Sequence, residues 1–290
     1  MVTTFLPKKS ERGVVVESDN LAVLEALPDE CVDLIYIDPP FNTGRAQTRT
    51  QTRTVRVAGG GDRTGFQGKR YQTEVLGSAS FDDSFDDFVG FLEPRLRHAC
   101  RLLKKNGSLY VHLDANEVHY VKVALDRIFG RSNFMNEVIW AYDYGGRPRD
   151  RWPKKHDTIL VYAKHLGKHT FNYDEIDRIP YMAPGLVGPE KAARGKLPTD
   201  TWWHTIVSPT GKEKLGWPTQ KPVRILERIV SASCPAEGIV LDFFAGSGTT
   251  GDAAIRTGRK FLLVEKEARA VEIMRKRFRD SRDVRFQSAK

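Results

Sequence analysis

Ile239-Val240-Leu241-Asp242-Phe243-Phe244-Ala245-Gly246-Ser247-Gly248-Thr249-Thr250 reads as a short apolar strand that breaks into a glycine turn and then opens a helix. Gly246 and Gly248 carry no side chain, so the backbone can turn sharply and a ligand can come close. The turn lacks the third glycine and the spacing of the dinucleotide fingerprint, and it is not a Walker P-loop. By itself it points only to a nucleotide-type α/β fold. Glu265 stands 17 residues beyond Gly248, at the end of Phe261-Leu262-Leu263-Val264. An acidic residue there is well placed to accept hydrogen bonds from ribose hydroxyls. The plain alternative is a solvated glutamate at a strand end.

Outward from this stretch, short β-rich apolar runs alternate with helical ones, the pattern of a parallel α/β sheet. The other strands are expected at Gly13–Val16, Val32–Ile37, Ser108–Leu113, Glu137–Tyr142 and Thr158–Tyr162. Helices are expected at Phe85–Leu103, Pro222–Ser233 and Thr249–Thr257. Pro94 should kink or divide the first, and Asn106-Gly107 should stop it.

A second turn follows Val32-Asp33-Leu34-Ile35-Tyr36-Ile37. It is Asp38-Pro39-Pro40-Phe41, a carboxylate, two prolines and an aromatic. The prolines fix φ and remove two backbone donors, which leaves carbonyl acceptors beside the carboxylate in a rigid array. Two acceptors and an aromatic face suit a planar ligand bearing an NH2 group. Read structurally, Pro-Pro could be only a stiff turn.

The chain has 290 residues, enough for one large α/β domain with insertions or two small domains; 40% are hydrophobic, 29% are charged and the net charge is +9. That excess suits a polyanion, nucleic acid first. Apolar runs are strand-sized, so no membrane span is expected. Met1–Ser10 lacks the apolar core of a signal peptide. Cys31, Cys100 and Cys234 form no CxxC pair, which suits reduced thiols in the cytoplasm and no metal site.

Two stretches break the pattern. Residues 43–80 carry seven basic residues (Arg45, Arg49, Arg53, Arg56, Arg63, Lys69 and Arg70) against Asp62 and Glu74. With little apolar content, this stretch is expected to be a mobile basic loop. Residues 165–216, rich in Pro, Gly and Lys and carrying Trp202-Trp203-His204, look like an insertion with its own small core.

Together, Asp38-Pro39-Pro40-Phe41, Phe244-x-Gly246-x-Gly248 and Trp217-Pro218-Thr219-Gln220-Lys221-Pro222 resemble the amino-DNA methyltransferase family. Their order, catalytic motif before cofactor motif, resembles its β class. The resemblance runs from Val14 to about Phe278. It implies an α/β fold: a Rossmann-like, seven-stranded, mostly parallel sheet with helices on both faces and circularly permuted motifs. It also implies S-adenosylmethionine as cofactor, double-stranded DNA as partner, and a homodimer. The catalytic and cofactor-binding domain would comprise residues 1–42, 81–164 and 217–290, with target recognition in 165–216.

The resemblance also implies residue roles. Asp38 and the Pro39 carbonyl would hold the two hydrogens of the target amine, within the turn that Pro40 stiffens. That would aim the nitrogen lone pair at the methyl group while Phe41 stacks on the flipped base. Phe244, Gly246, Gly248 and Thr249 would border the cofactor, Glu265 its ribose and Asp19 its adenine. Thr219 and Lys221 would border its methionine carboxylate. Trp140 and Tyr142 match a second base-pocket strand, where buried sheet aromatics are the alternative. In the family an aspartate opening the motif usually accompanies adenine N6 methylation, and a serine cytosine N4 methylation. Phe243 stands where proline is frequent, and Trp217 where histidine is frequent. The basic loop is long for the class.

A target base must leave the stack, and basic contacts must help supply that energy. Arg147, Arg149, Arg151, Lys154 and Lys155 cluster just after the base-pocket strand. With Arg45, Arg49 and Arg53 they are the expected DNA contacts. The expected activity is adenine N6 methylation of DNA, as in a restriction-modification system. The alternatives are cytosine N4 methylation and a catalytically silent DNA-binding protein on the same scaffold.

Overall fold

The computed structural model describes residues 5–40, 47–57, 62–64, 70–81, 85–208 and 210–288, giving backbone alone over most of 47–81. In chain order the elements are β1 (Gly13–Glu17), α1 (Asn20–Ala26), β2 (Val32–Ile37), β3 (Gln47–Val57), β4 (Arg63–Thr64), β5 (Arg70–Phe81), α2 (Phe88–Leu102), β6 (Leu103–Leu113) and α3 (Val118–Phe129). There follow β7 (Phe134–Ala141), β8 (His156–Ala163), α4 (Pro189–Arg194), β9 (Thr201–Trp203), α5 (Val223–Ser233), β10 (Ile239–Asp242), α6 (Thr249–Arg256), β11 (Lys260–Glu265), α7 (Ala268–Arg277) and β12 (Val284–Ser288).

The chain divides into two compact units, residues 1–39 with 89–290, and residues 40–88. The larger holds one sheet in the order β12-β1-β11-β10-β2-β6-β8-β7-β9. Neighbours from β12 to β6 run parallel, β8 is antiparallel to both β6 and β7, and β9 returns parallel to β7. The seven expected strands are all present. Two more, β12 and β9, extend the edges, so the described sheet has nine strands instead of seven. Both additions are partly exposed; β9 has only three residues, too few to show a period, and the charged and polar residues of β12 mask its pattern, which hides both from a hydrophobic-pattern search.

Apolar side chains on both faces explain the runs without alternation. Val15, Leu34, Tyr36, Val240 and Leu263 pack with Leu226, Ile229, Ala253, Val271 and Met274, so α5, α6 and α7 cover one face. The alternate residues Val14, Ile35, Ile37, Leu241 and Leu262 are equally buried. On that second face Tyr162 of β8 meets Phe129 of α3 at 5.6 Å. Arg101 of α2 donates to the Leu24 carbonyl of α1, tying the first two helices together.

Three expectations change. The helix containing Pro94 is not divided, because proline costs only its own N–H bond there while Leu92, Leu96 and Ala99 stay buried around it. It ends at Leu102, and Asn106-Gly107 lies within β6. Residues 165–216 have no core of their own. They belong to the larger unit, and Trp202 joins the main core cluster. The segment buries too few large residues, chiefly Ile176, Trp202 and Val207, to fold on itself.

The smaller unit carries most of the basic stretch, and it contains strands where a loop was expected. β3 and β5 pair antiparallel from Gln47↔Phe81 to Val57↔Arg70, and β4 pairs with β5 at Arg63↔Tyr71. Threonine at every second position, Thr48 to Thr54, suits a pleated strand without any apolar periodicity to announce it.

Candidate active site

Because β1, β11, β10, β2 and β6 run parallel, their carboxyl ends share one edge of the sheet, where open α/β sheets bind ligands. The antiparallel turn between β7 and β8 lies at that same edge. Sequence-distant residues converge there: Asp19 after β1, Glu265 ending β11, Asp242 ending β10, Asp38 after β2, and Asp157 at the start of β8.

Asp38 is held asymmetrically. Lys221 Nζ donates to its Oδ2 at 2.5 Å, and both side chains are at most 15% exposed. Its Oδ1 is buried and meets no hydrogen-bond partner among the described residues. A buried carboxylate oxygen without a donor is costly and marks a place for an incoming N–H. Pro39 is buried beside it, Pro40 begins the smaller unit, and Phe41 lies outside the described residues. The resemblance places Lys221 near a cofactor carboxylate; here its ammonium sits on Asp38.

The glycine turn is fixed from below. Gly246 N–H donates to Glu265 Oε2 at 2.7 Å, and Glu267 N–H donates to Glu265 Oε1 at 2.9 Å. Each oxygen keeps lone-pair capacity for ribose hydroxyls. Burial raises the Glu265 carboxyl above its usual range, against the pull of those N–H groups. Gly248 has φ +77°, and a Cβ there would lie 2.7 Å from Met274. Its missing side chain therefore makes room for α7 as well as for the turn. At Gly246 (φ +50°) a Cβ would lie 3.0 Å from the Trp217 indole nitrogen, so the residue standing where histidine is frequent packs on the turn itself. Phe244 is half-buried, 6.1 Å from Phe91. Thr249 is buried with its hydroxyl 3.3 Å from Ser247, and Thr219 is exposed. Asp19 caps α1 by accepting from Leu21 N–H and pairs with Arg95 at 3.8 Å, yet its side chain stays 60% exposed toward the same edge.

Asp242, unassigned from sequence although quoted in the motif, accepts from Phe244 N–H (3.0 Å) and from the Thr250 hydroxyl (2.6 Å). Burial pushes its carboxyl up to about 7 despite those donors, and the charges of Asp38 and Glu265 add to the rise. Asn20 and Arg95 were also missed. Asn20 donates to the Phe243 carbonyl at 2.8 Å and accepts from Arg95 Nε at 2.7 Å, which locks the strand end carrying the turn. Nothing in the local sequence marks an arginine of α2 for that task.

The strand expected to line a base pocket divides. Trp140 is only 2% exposed, and its indole donates to the His204 carbonyl at 2.6 Å, so it is core with no open face. Tyr142 is half-buried and donates to Asp157 Oδ1 at 3.0 Å. Asp157 Oδ2 lies 3.1 Å from His112 Nε2, and His112 Nδ1 lies 2.9 Å from the Tyr36 hydroxyl. Burial raises Asp157, but bonding to His112 and Tyr142 together with the charge of Lys221 brings it below the ordinary carboxylate range.

Arg147, Arg149, Arg151 and Lys154 are exposed on the turn between β7 and β8, and Lys155 is half-buried at its base. Arg49 and Arg53 lie on β3 with only their backbone described, and Arg45 lies outside the described residues.

Five carboxylates, Asp19, Asp38, Asp157, Asp242 and Glu265, thus gather at the edge where open α/β sheets bind ligands, and one of them, Asp38, keeps a buried oxygen without a donor among the described residues. The family model of the N6/N4 methyltransferases, described as DNA methylases, matches residues 32–276, and the chain belongs to that family. It is similar to the DNA adenine methyltransferase YhdJ of Escherichia coli K12, 29% identical over 88% of this chain and 79% of that one. The type II methyltransferase M.HpaI of Haemophilus parainfluenzae is 28% identical over 90% of this chain and 72% of that one. Among solved structures, the cytosine-N4-specific PvuII DNA methyltransferase superposes with a TM-score of 0.65 at 17% identity, covering 96% of this chain and 92% of that one. The complex of M1.HpyAVI with SAM gives 0.57 at 21% identity, covering 92% and 98%.

Proposed function

We propose that this DNA methyltransferase moves a methyl group from S-adenosylmethionine to the exocyclic N6 of an adenine flipped out of duplex DNA. The divided carboxylate of Asp38 carries the reading, with one oxygen held by Lys221 and the other buried and open to a donor. Asp38 Oδ1 and the Pro39 carbonyl accept the two amine hydrogens, which turns the nitrogen lone pair toward the cofactor edge. Asp38 acts as a positioner, because the proton leaves readily once nitrogen carries four bonds.

The cofactor supplies an electrophilic methyl group on a sulfonium sulfur. The residues present fit it. Asp38 and Glu265 place carboxylate charge at the edge, which suits a sulfonium cation, and Glu265 offers acceptors for ribose hydroxyls. Asp19 stands two residues after Glu17, the β1 residue paired with Glu265 on the neighbouring strand, on the adenine side.

Adenine rests on the aspartate that opens the motif and on the relative named as an adenine methyltransferase. We assign target recognition to residues 165–216, and DNA backbone contact to the basic strands of 43–80 and to the turn of residues 143–154. The enzyme works in the cytoplasm as a homodimer; light scattering that gives a monomer mass would remove the last point. The test of the base is to methylate unmodified duplex DNA with labelled cofactor, digest it and separate the nucleosides. Label is expected in N6-methyladenine alone. Label in N4-methylcytosine overturns the choice of base and leaves the role of Asp38 standing.

A further inference from the structure

Trp152 is 93% exposed, although tryptophan is among the side chains most buried on average. It sits in the turn between β7 and β8. That turn is closed at its base by Tyr142 N–H donating to the Lys155 carbonyl at 2.8 Å, next to the pair Trp140↔Asp157. The register Ile37↔Val111 and Leu113↔Thr158 brings this base level with the end of β2, where Asp38 stands. At the usual strand spacing β8 is roughly 10 Å from β2, and β7 roughly 14 Å. The turn is therefore an arm rising beside the reaction centre.

The arm is basic and braced. Arg147, Arg149, Arg151, Lys154 and Lys155 outnumber Asp143 and Asp150. Lys154 donates to Asn116 Oδ1 at 2.7 Å, and Lys155 donates to the Gly145 carbonyl at 2.9 Å, so the two lysines hold the arm while the arginines point outward. Pro153 confines Trp152 to extended backbone, so presenting the indole costs little further entropy. Trp203 is also exposed, at 79%, but it lies on the outermost strand β9 between Trp202 and His204 with no flanking cation. Tyr144, 56% exposed, shares the arm, but Trp152 is the barest aromatic among the described residues and stands directly beside Arg151 on this polyanion-binding surface.

We propose that Trp152 enters the DNA stack when the target base leaves it, filling the gap with its indole while the flanking arginines grip the phosphates. The inference rests on the proposed function and names a part for it. Extruding a base leaves two neighbouring base faces unstacked, and apolar side chains inserted at a base step replace that contact. Stacking of a base on an aromatic ring is worth about tenfold to a hundredfold in an equilibrium.

The test uses the full-length enzyme and duplexes containing one methylation site, mapped beforehand by sequencing modified bases. Single-turnover methyl transfer is compared for wild type, Trp152→Ala and Trp152→Phe on two duplexes. One is fully paired; in the other the target base faces an abasic site, so that much of the cost of extrusion is already removed. On paired DNA, Trp152→Ala is expected to be slower by about tenfold to a hundredfold, with Trp152→Phe recovering most of the loss. On the abasic duplex, Trp152→Ala should come within about threefold of wild type. Undiminished transfer by Trp152→Ala on paired DNA overturns the inference. So does an equal loss on both duplexes, which marks a residue that only holds DNA. If wild type transfers no methyl group to either duplex, the functional reading fails, and the inference with it.

Discussion

Lys221 holds one oxygen of Asp38 at 2.5 Å and leaves the other buried without a partner among the described residues. The ion pair fixes which oxygen is left to meet the target amine of the proposed function. It also gives the two partners different mutational costs. Lys221→Met leaves a buried carboxylate with no counter-ion, which costs about 3 kcal/mol and should lower the melting temperature by roughly 6–12 °C. Asp38→Ala leaves an ammonium on a long stem that can turn toward water, so the loss should be smaller. Methyl transfer should fall in both, to nothing measurable in Asp38→Ala, while cofactor affinity there stays close to wild type. Calorimetry and a transfer assay decide this. Substantial turnover by Asp38→Ala removes its positioning role.

Glu265 has two tasks that one substitution cannot separate. It holds the glycine turn through Gly246 N–H and, in the proposed function, would offer acceptors to a ribose. Glu265→Ala should weaken S-adenosylmethionine by about 1.5–3 kcal/mol, the range for hydrogen bonds to a charged group. Glu265→Gln keeps one acceptor and should lie between the two. Titration calorimetry that gives wild-type affinity for Glu265→Ala takes the residue out of the site.

Asp242 predicts how stability follows pH. Its carboxyl is raised from the ordinary 3.8 to about 7 in the folded chain, chiefly by burial. The folded state therefore holds a proton that the unfolded state has lost, and the stability this confers is complete below about pH 4 and disappears as pH rises through 7. Asp242→Asn can still accept from Phe244 N–H and can donate to the Thr250 hydroxyl, without titrating. Relative to wild type, the variant should gain stability between pH 4 and 8, on the order of 4 kcal/mol. Glu265, also raised by burial, keeps some slope in both proteins. Melting curves that stay parallel across that range contradict the protonated Asp242.

The two turns at the carboxyl ends of β2 and β10 were legible in the sequence because their residue types are dictated by backbone needs. Gly248 must adopt φ +77° against Met274, and the fully buried β2 needs the apolar run Leu34-Ile35-Tyr36-Ile37 before Asp38. The seven core strands were legible for the same reason. The contacts that brace the site were not. His112 and Asp157 meet only because β6 and β8 pair, and Arg95 reaches Asn20 across 75 positions. Trp140 could be read as pocket or core, since both want an aromatic on a strand, and burial against His204 decides for core. The threonine-rich strands of the smaller unit carry no apolar face, so hydrophobic periodicity was the wrong signal for them.

The last prediction concerns how DNA is held. Arg147, Arg149 and Arg151 project from the arm with no structural task beyond their neighbours Asp143 and Asp150, at 3.5 and 3.4 Å from Arg147 and Arg151. These exposed pairs are worth little in water and give way to phosphate. Together with Arg45, Arg49 and Arg53 they would neutralise about six phosphates, so the logarithm of affinity should fall against the logarithm of salt with a slope of about −5. Replacing the three arm arginines by alanine should bring the slope to about −2.5 and should weaken all sequences alike, because phosphate contacts carry no base information. In the same experiments DNA should slow tryptic cleavage within residues 43–80, where the remaining arginines lie. Anisotropy titrations from 50 to 200 mM salt measure the first effect, and timed digests the second. A flat salt dependence would contradict the electrostatic basis of DNA binding. A wild-type slope near −2.5 with unprotected residues 43–80 would confine contact to the arm.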